Sequence, residues 1–126
     1  MTTQLVRLLP DFRVAKFREA THTSEGEIVI EEEVRFDNRI ATNAHGDHLV
    51  EASLKGFALE FLDSRDVSWE AVLGREEVRV DVISVDGRRV KVQLVARLRP
   101  MTAGPGFHFR ASGQALVSAL TEADQA

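Results

Sequence analysis

The chain has 126 residues and a mass of 14.0 kDa, with 44% hydrophobic and 29% charged residues, which fits one domain over 1–126 and hardly leaves room for a second. Sixteen basic against twenty acidic residues give a net charge of −4, the opposite of the basic surplus that marks general nucleic-acid and anionic-membrane binders. There is no cysteine, which removes disulfides, thiolate nucleophiles, iron–sulfur clusters and cysteine-ligated zinc together. The apolar stretches fall far short of the roughly 20 residues of a membrane-spanning helix. Met1 to Leu9 holds no apolar run of signal-peptide length, so a cytoplasmic location is expected.

Taken in chain order, Phe12, Val14 and Phe17 with interleaved Arg13 and Lys16 suggest a first strand with imperfect alternation. The cluster from Thr21 to Gly26 reads as a turn. Ile28, Ile30, Glu32, Val34 and Phe36 then follow a period of two, and Asp37-Asn38 has the chemistry to end that strand. Ile40 to Asn43 reads as a short returning strand. From Asp47 to Leu62 the spacing predicts a helix: Asp47 caps it, and Leu49, Val50, Leu54, Phe57, Ala58 and Phe61 form one stripe. Gly56 inside such a helix costs about 1 kcal/mol relative to Ala. Asp63 to Gly74 reads as a loop or short helical turn anchored by Trp69.

The sharpest local signal is Asp86-Gly87, which joins Val78–Val85 to Val90–Leu98, two Val-rich alternating arms, as a hairpin. Pro100 ends the second arm, and a Gly- and Pro-containing loop runs from Thr102 to Phe109. Ser112 is read as the cap of a short terminal helix carrying Leu116, Val117 and Leu120. The expected fold class is α+β: a mostly antiparallel sheet of about five strands covered by one long helix, with a short helix at the C-terminus.

Candidate chemistry is sparse. His45, Asp47 and His48 are the densest set of metal-ligand types, but they lack the two-histidine spacing of zinc enzymes, and the plainer reading is a solvated loop. In Glu31-Glu32-Glu33 only Glu31 and Glu33 share a strand face, and a solvated face explains them. Arg89, Lys91, Arg97 and Arg99 share a face of the hairpin and could meet phosphates, against the simpler reading of a polar outer face. Gly104-Pro105-Gly106 could bring backbone N–H groups to an anion, yet it is neither a Walker loop nor a dinucleotide fingerprint. No serine sits in a nucleophile elbow. Residue by residue, the chain does not read as an enzyme.

The order of segments resembles the N-terminal half of the formate dehydrogenase accessory family, the FdhD-type sulfurtransferases. The matching stretches are Glu32 to Asn38, Asp47 to Leu59 with Gly56-Phe57 at the family's Gly-Phe, the hairpin around Asp86-Gly87, and Arg110-Ala111-Ser112. The family's sulfur-carrying cysteines would fall near Pro105 and His108, so its thiol reaction is not carried over, and its C-terminal half has no counterpart in these residues. The resemblance implies a non-catalytic accessory or binding module for assembly of a molybdenum- or tungsten-dependent oxidoreductase such as formate dehydrogenase. It further implies a surface built from Arg99, Gly104, Gly106, His108 and Arg110 that meets the client or its pterin-guanine-dinucleotide cofactor. The alternative from another class is a homo-oligomeric structural or interaction subunit, a homodimer in the simplest case, with no small-molecule ligand. Neither reading calls for nucleic acid or membrane.

Overall fold

The computed structural model describes residues 7–23, 27–62, 73–100 and 108–123. It is built of six antiparallel strands: β1 (Leu8–Thr23), β2 (Ile28–Arg35), β3 (Val50–Leu62), β4 (Leu73–Asp86), β5 (Arg89–Pro100) and β6 (His108–Glu122). They form two three-stranded sheets, the first ordered β1-β6-β3 and the second β2-β5-β4. Among the described residues there is no helix, so the α+β expectation is corrected to an all-β sandwich.

The two expected helices fail for a definable reason. One side of β3 carries Val50, Ala52 and Leu54, then Phe57, Leu59 and Phe61, of which Leu54 and Phe57 stay exposed, with a register shift between Leu54 and Gly56. That bulge inserts one residue into a period of two. The step from Leu54 to Phe57 therefore imitates the i, i+3 spacing of a helix. At the other end, Leu116 and Leu120 lie on the outer face of β6, while Ala111, Ala115, Val117 and Ala119 are buried on its inner face. Apolar residues on both faces blur alternation into an apparent helical stripe. The short strand expected at Ile40–Asn43 reduces to two isolated bridges, Ile40 to Thr121 and Thr42 to His48. The Trp69 segment and the Gly-Pro-Gly loop lie outside the described residues.

Other expectations hold. The β4–β5 hairpin turns at Gly87, whose φ of 62° lies in the left-handed region that glycine tolerates best. Ile28, Ile30, Val34 and Phe36 point inward as the alternation of β2 requires. The sheets meet over a core in which Phe17, Phe36, Val90, Val92, Leu94 and Val117 interdigitate. A second cluster, with Phe109, Phe61, Ile28 and Leu98, extends it toward the other end. Thr121, a buried polar side chain, is satisfied by donating to the Leu9 carbonyl at 3.0 Å.

The segment after β2 laces one end of the sandwich. The Phe36 and Ile40 N–H groups donate to the carbonyls of Arg88 and Gly87 at 2.9 and 3.0 Å, while the Ala41 N–H donates to the Leu120 carbonyl at 2.9 Å. One stretch thereby ties the hairpin turn of the second sheet to the end of β6 in the first.

Candidate functional site

The two outer faces of the sandwich differ in chemistry. On the second sheet the outward residues are largely charged: Glu33 stands opposite Lys91 and Glu77 opposite Arg97, while Arg35 stands opposite Arg89 and Arg75 opposite Arg99. Arg97 reaches Glu27 at 2.7 Å and Glu77 at 3.7 Å, and Arg79 bridges Glu77 and Asp81 at 3.1 and 3.2 Å. The basic row Arg89, Lys91, Arg97 and Arg99 does share one face, as the strand period demands. Two of its arginines meet carboxylates there, Arg97 as above and Arg89 at 3.5 Å from Asp86, while Arg99 stands opposite Arg75.

On the first sheet the outward positions of β1 are Leu8, Pro10, Phe12 and Val14, and across the ladder from them stand Glu122, Leu120, Ser118 and Leu116. Phe12 is 56% exposed, and Leu8, Val14 and Leu120 are also exposed large hydrophobics. Burying such side chains is worth roughly 1.5–3 kcal/mol each, so their alignment on one face is costly in water. An open groove of about 410 Å³ runs beside Phe12, bounded by Pro10, His48, Leu49, Glu51 and Leu120. A contiguous apolar patch rimmed by polar groups is the usual mark of an interaction surface.

The site residues expected from the sequence are dispersed. Arg99 stands exposed on β5 of the second sheet, whereas His108 and Arg110 stand half-buried on β6 of the first. Gly104 and Gly106 lie outside the described residues. Arg110 is engaged by Glu60, with Nε to Oε2 at 2.6 Å, and by Glu19 at 3.4 Å. The hydrogen bond to Glu60, foremost, holds the Arg110 guanidinium above its ordinary pKa against desolvation, with the charges of Glu19 and Glu60 adding to it. A phosphate arriving at Arg110 would compete with two carboxylates already in place.

His45, Asp47 and His48 sit on an exposed turn organised by Asn43. The Asn43 side-chain oxygen accepts from the His45 and Asp47 N–H groups at 2.9 and 3.0 Å, and Gly46 takes a φ of 84°. Asp47 thus closes a turn and caps no helix. Among the described residues, no group of three or more His, Asp or Glu side chains is placed to hold a metal ion.

The apolar row on β1 and β6 is what reading the sequence missed. The available signal was that Phe12 and Val14 alternate with one set of positions while Ala15 and Phe17 occupy the other, so both faces of one strand carry apolar residues. Compared with models of protein families, with curated proteins and with solved structures, the chain shows no match. No helix among the described residues is long and apolar enough to cross a membrane.

Proposed function

We propose that this chain is a non-catalytic binding module that docks on another protein surface through the outer face of its first sheet. The observation that supports it is the contrast between the two faces: ion-paired on β2-β5-β4, apolar around Phe12 on β1-β6-β3. Desolvating the second face would break matched charges for little return, while desolvating the first returns hydrophobic free energy. Within this reading, a subunit of a molybdenum- or tungsten-dependent oxidoreductase is the client to look for first, on the strength of segment order alone. A pterin-guanine-dinucleotide ligand would need Glu60 and Glu19 to release Arg110.

The test is affinity capture from the native host with the wild-type chain and with Phe12→Lys, the variant's fold checked by circular dichroism. A defined protein recovered by wild type and lost with the variant is the expected result. Identical recoveries with both chains would overturn the assignment of this face. Recovery of an oxidoreductase subunit in the Phe12-dependent set would support the narrower client.

A further inference from the structure

The apolar row on the first sheet is two strands wide and no wider. Leu8, Pro10, Phe12 and Val14 lie on β1, and Leu116 and Leu120 stand beside them on β6. Level with them on β3, the outward residues Glu51 and Ser53 are polar and exposed. Two strands at ~4.8 Å each make a stripe about 10 Å wide, and at ~3.4 Å per residue it runs about 27 Å from Leu8 to Lys16. That is the footprint of one α-helix of about 18 residues, with a diameter of about 10–12 Å and a rise of ~1.5 Å per residue. A standard interface between folded domains takes about 800 Å² from each partner, roughly three times what this stripe offers.

We propose that the segment seated on this face is an amphipathic α-helix of a partner protein, running from the Glu122 end toward Lys16. The proposal rests on the docking reading above and names the chemistry of the occupant.

An extended segment is the competing occupant, and it would have to add to the free edge of β1. That edge is blocked where the apolar row lies. The Phe12 N–H donates to Asp11 Oδ1 at 2.8 Å, and the Phe12 carbonyl accepts from Arg13 Nη1 at 2.8 Å. Residues two apart on an antiparallel strand present their main-chain groups to the same edge, so Pro10, which has no N–H, leaves a second gap there. The register shift between Phe17 and Ala20 interrupts the edge again further along. A helix satisfies its main-chain groups internally and asks nothing of the edge. It needs a row of large apolar side chains, and here Phe12 stands 56% exposed beside a groove of about 410 Å³.

The two ends of the stripe carry opposite charge. Glu122 lies at one end, opposite Leu8, and Lys16 at the other, with Lys55 two strands away in the register shift of β3. A helix carries about half a positive charge at its N-terminus and half a negative charge at its C-terminus. The favourable orientation therefore sets its first turn over Glu122 and its last over Lys16 and Lys55. So small a contact is reversible, with a Kd on the order of 10–100 µM.

A random library of peptides about 20 residues long, displayed on phage, panned on the full chain and counter-selected on Phe12→Lys, reads the occupant. The expected binders depend on Phe12, repeat apolar residues at helical spacing, and gain helical circular dichroism when the synthetic peptide meets the wild-type chain. Leu120→Lys, at another exposed position, repeats the counter-selection should Phe12→Lys fail to fold. A nitroxide at the peptide's N-terminus should broaden the amide signals of Leu8 and Glu122, and one at its C-terminus those of Lys16 and Gln114. Glu122→Lys, and Lys16→Glu with Lys55→Glu, should each weaken binding about 2- to 5-fold. Phe12-dependent binders that alternate with a period of two overturn the helix and leave the docking reading standing. The reverse broadening pattern overturns the direction. A library without any Phe12- or Leu120-dependent binder also overturns the helix, and the docking reading then stands only if a folded host protein is still captured in a Phe12-dependent way.

Discussion

The Arg13 guanidinium lies over the ring of Phe36, 5.1 Å from its centroid. Arg13 lies on β1 of the first sheet and Phe36 directly follows β2 of the second, and β1 and β2 share no backbone ladder. Arg13 closes that seam by other means: its Nε donates to the Arg35 carbonyl at 2.9 Å, and its Nη1 to Asp11 at 2.9 Å and the Phe12 carbonyl at 2.8 Å. The cation covers a core ring that is 1% exposed.

Replacing Arg13 by Met keeps the apolar stem and removes the charge and the donors. The cation–π contact and the bond to the Arg35 carbonyl together predict a loss of about 1–2 kcal/mol. Arg13→Lys should fall between the two, because an ammonium keeps the charge but not the fork of donors. Urea unfolding with an unchanged slope measures it. A loss below ~0.5 kcal/mol for Arg13→Met would mean that the seam is held by packing alone.

Two neighbouring glycines carry opposite expectations. A Cβ on Gly113 would stand 3.0 Å from the Gly56 carbonyl oxygen and 3.3 Å from Leu94 Cδ2. The carbonyl belongs to a paired strand and has little freedom to give, so Gly113→Ala should destabilise by about 1–2 kcal/mol. A Cβ on Gly56 would meet nothing within 4 Å, and its backbone is not in the left-handed region. Gly56→Ala should therefore be neutral or stabilise by up to ~1 kcal/mol through the unfolded chain. Thermal melts of both variants decide, and the sign of their difference is the sharp part.

How much of this was legible in the sequence depended on whether a strand kept its period. The β4–β5 hairpin was plain because Val80, Val82, Val90, Val92 and Leu94 alternate around a turn that only glycine makes easily. In β3 the bulge before Gly56 replaced a step of two by a step of three, and the strand passed for a helix. In β6 both faces carry apolar residues, Phe109, Ala115 and Val117 inside and Leu116 and Leu120 outside, so the period of two is lost in the sequence. The candidate site suffered for a related reason. An arginine looks the same in sequence whether it awaits a phosphate or already holds Glu60, and the pairing of Arg110 with Glu60 spans 50 residues. Nothing local announces it.

The ion pairs make a statement about pH. Hydrogen bonds to Glu27 and Glu60, first among their causes, raise the pKa values of Arg97 and Arg110 above that of a free guanidinium. A cation whose pKa is raised by folding contributes stability that is complete below its unfolded value and lost only as the pH climbs through the folded one. That loss lies beyond the accessible alkaline range. The chain also has no tyrosine and no cysteine, so between about pH 7.5 and 9.5 few side chains titrate. The urea midpoint is expected to be flat across that window and to fall slightly when salt is raised to about 1 M. A decline with pH would assign stability to a lysine or to the amino terminus instead.

Phe109 and Phe12 separate the core from the docking face. Phe109 is fully buried among Phe61, Leu98, Ile28 and Ala111, whereas Phe12 stands 56% exposed on the outer side of β1. Truncating a buried phenylalanine costs about 3–5 kcal/mol, a large share of the roughly 5–15 kcal/mol that holds a domain together. Phe109→Ala should therefore lower the urea midpoint sharply and leave binding unchanged for whatever fraction stays folded. Phe12→Ala should shift stability by no more than about 0.5 kcal/mol, since its ring already faces water in the single chain. Its effect belongs to binding. Measuring both variants by urea unfolding of the isolated chain keeps the two apart. If Phe12→Ala unfolds as readily as Phe109→Ala under those conditions, the ring is a structural element of the single chain, and the outer face of the first sheet loses its claim to a partner.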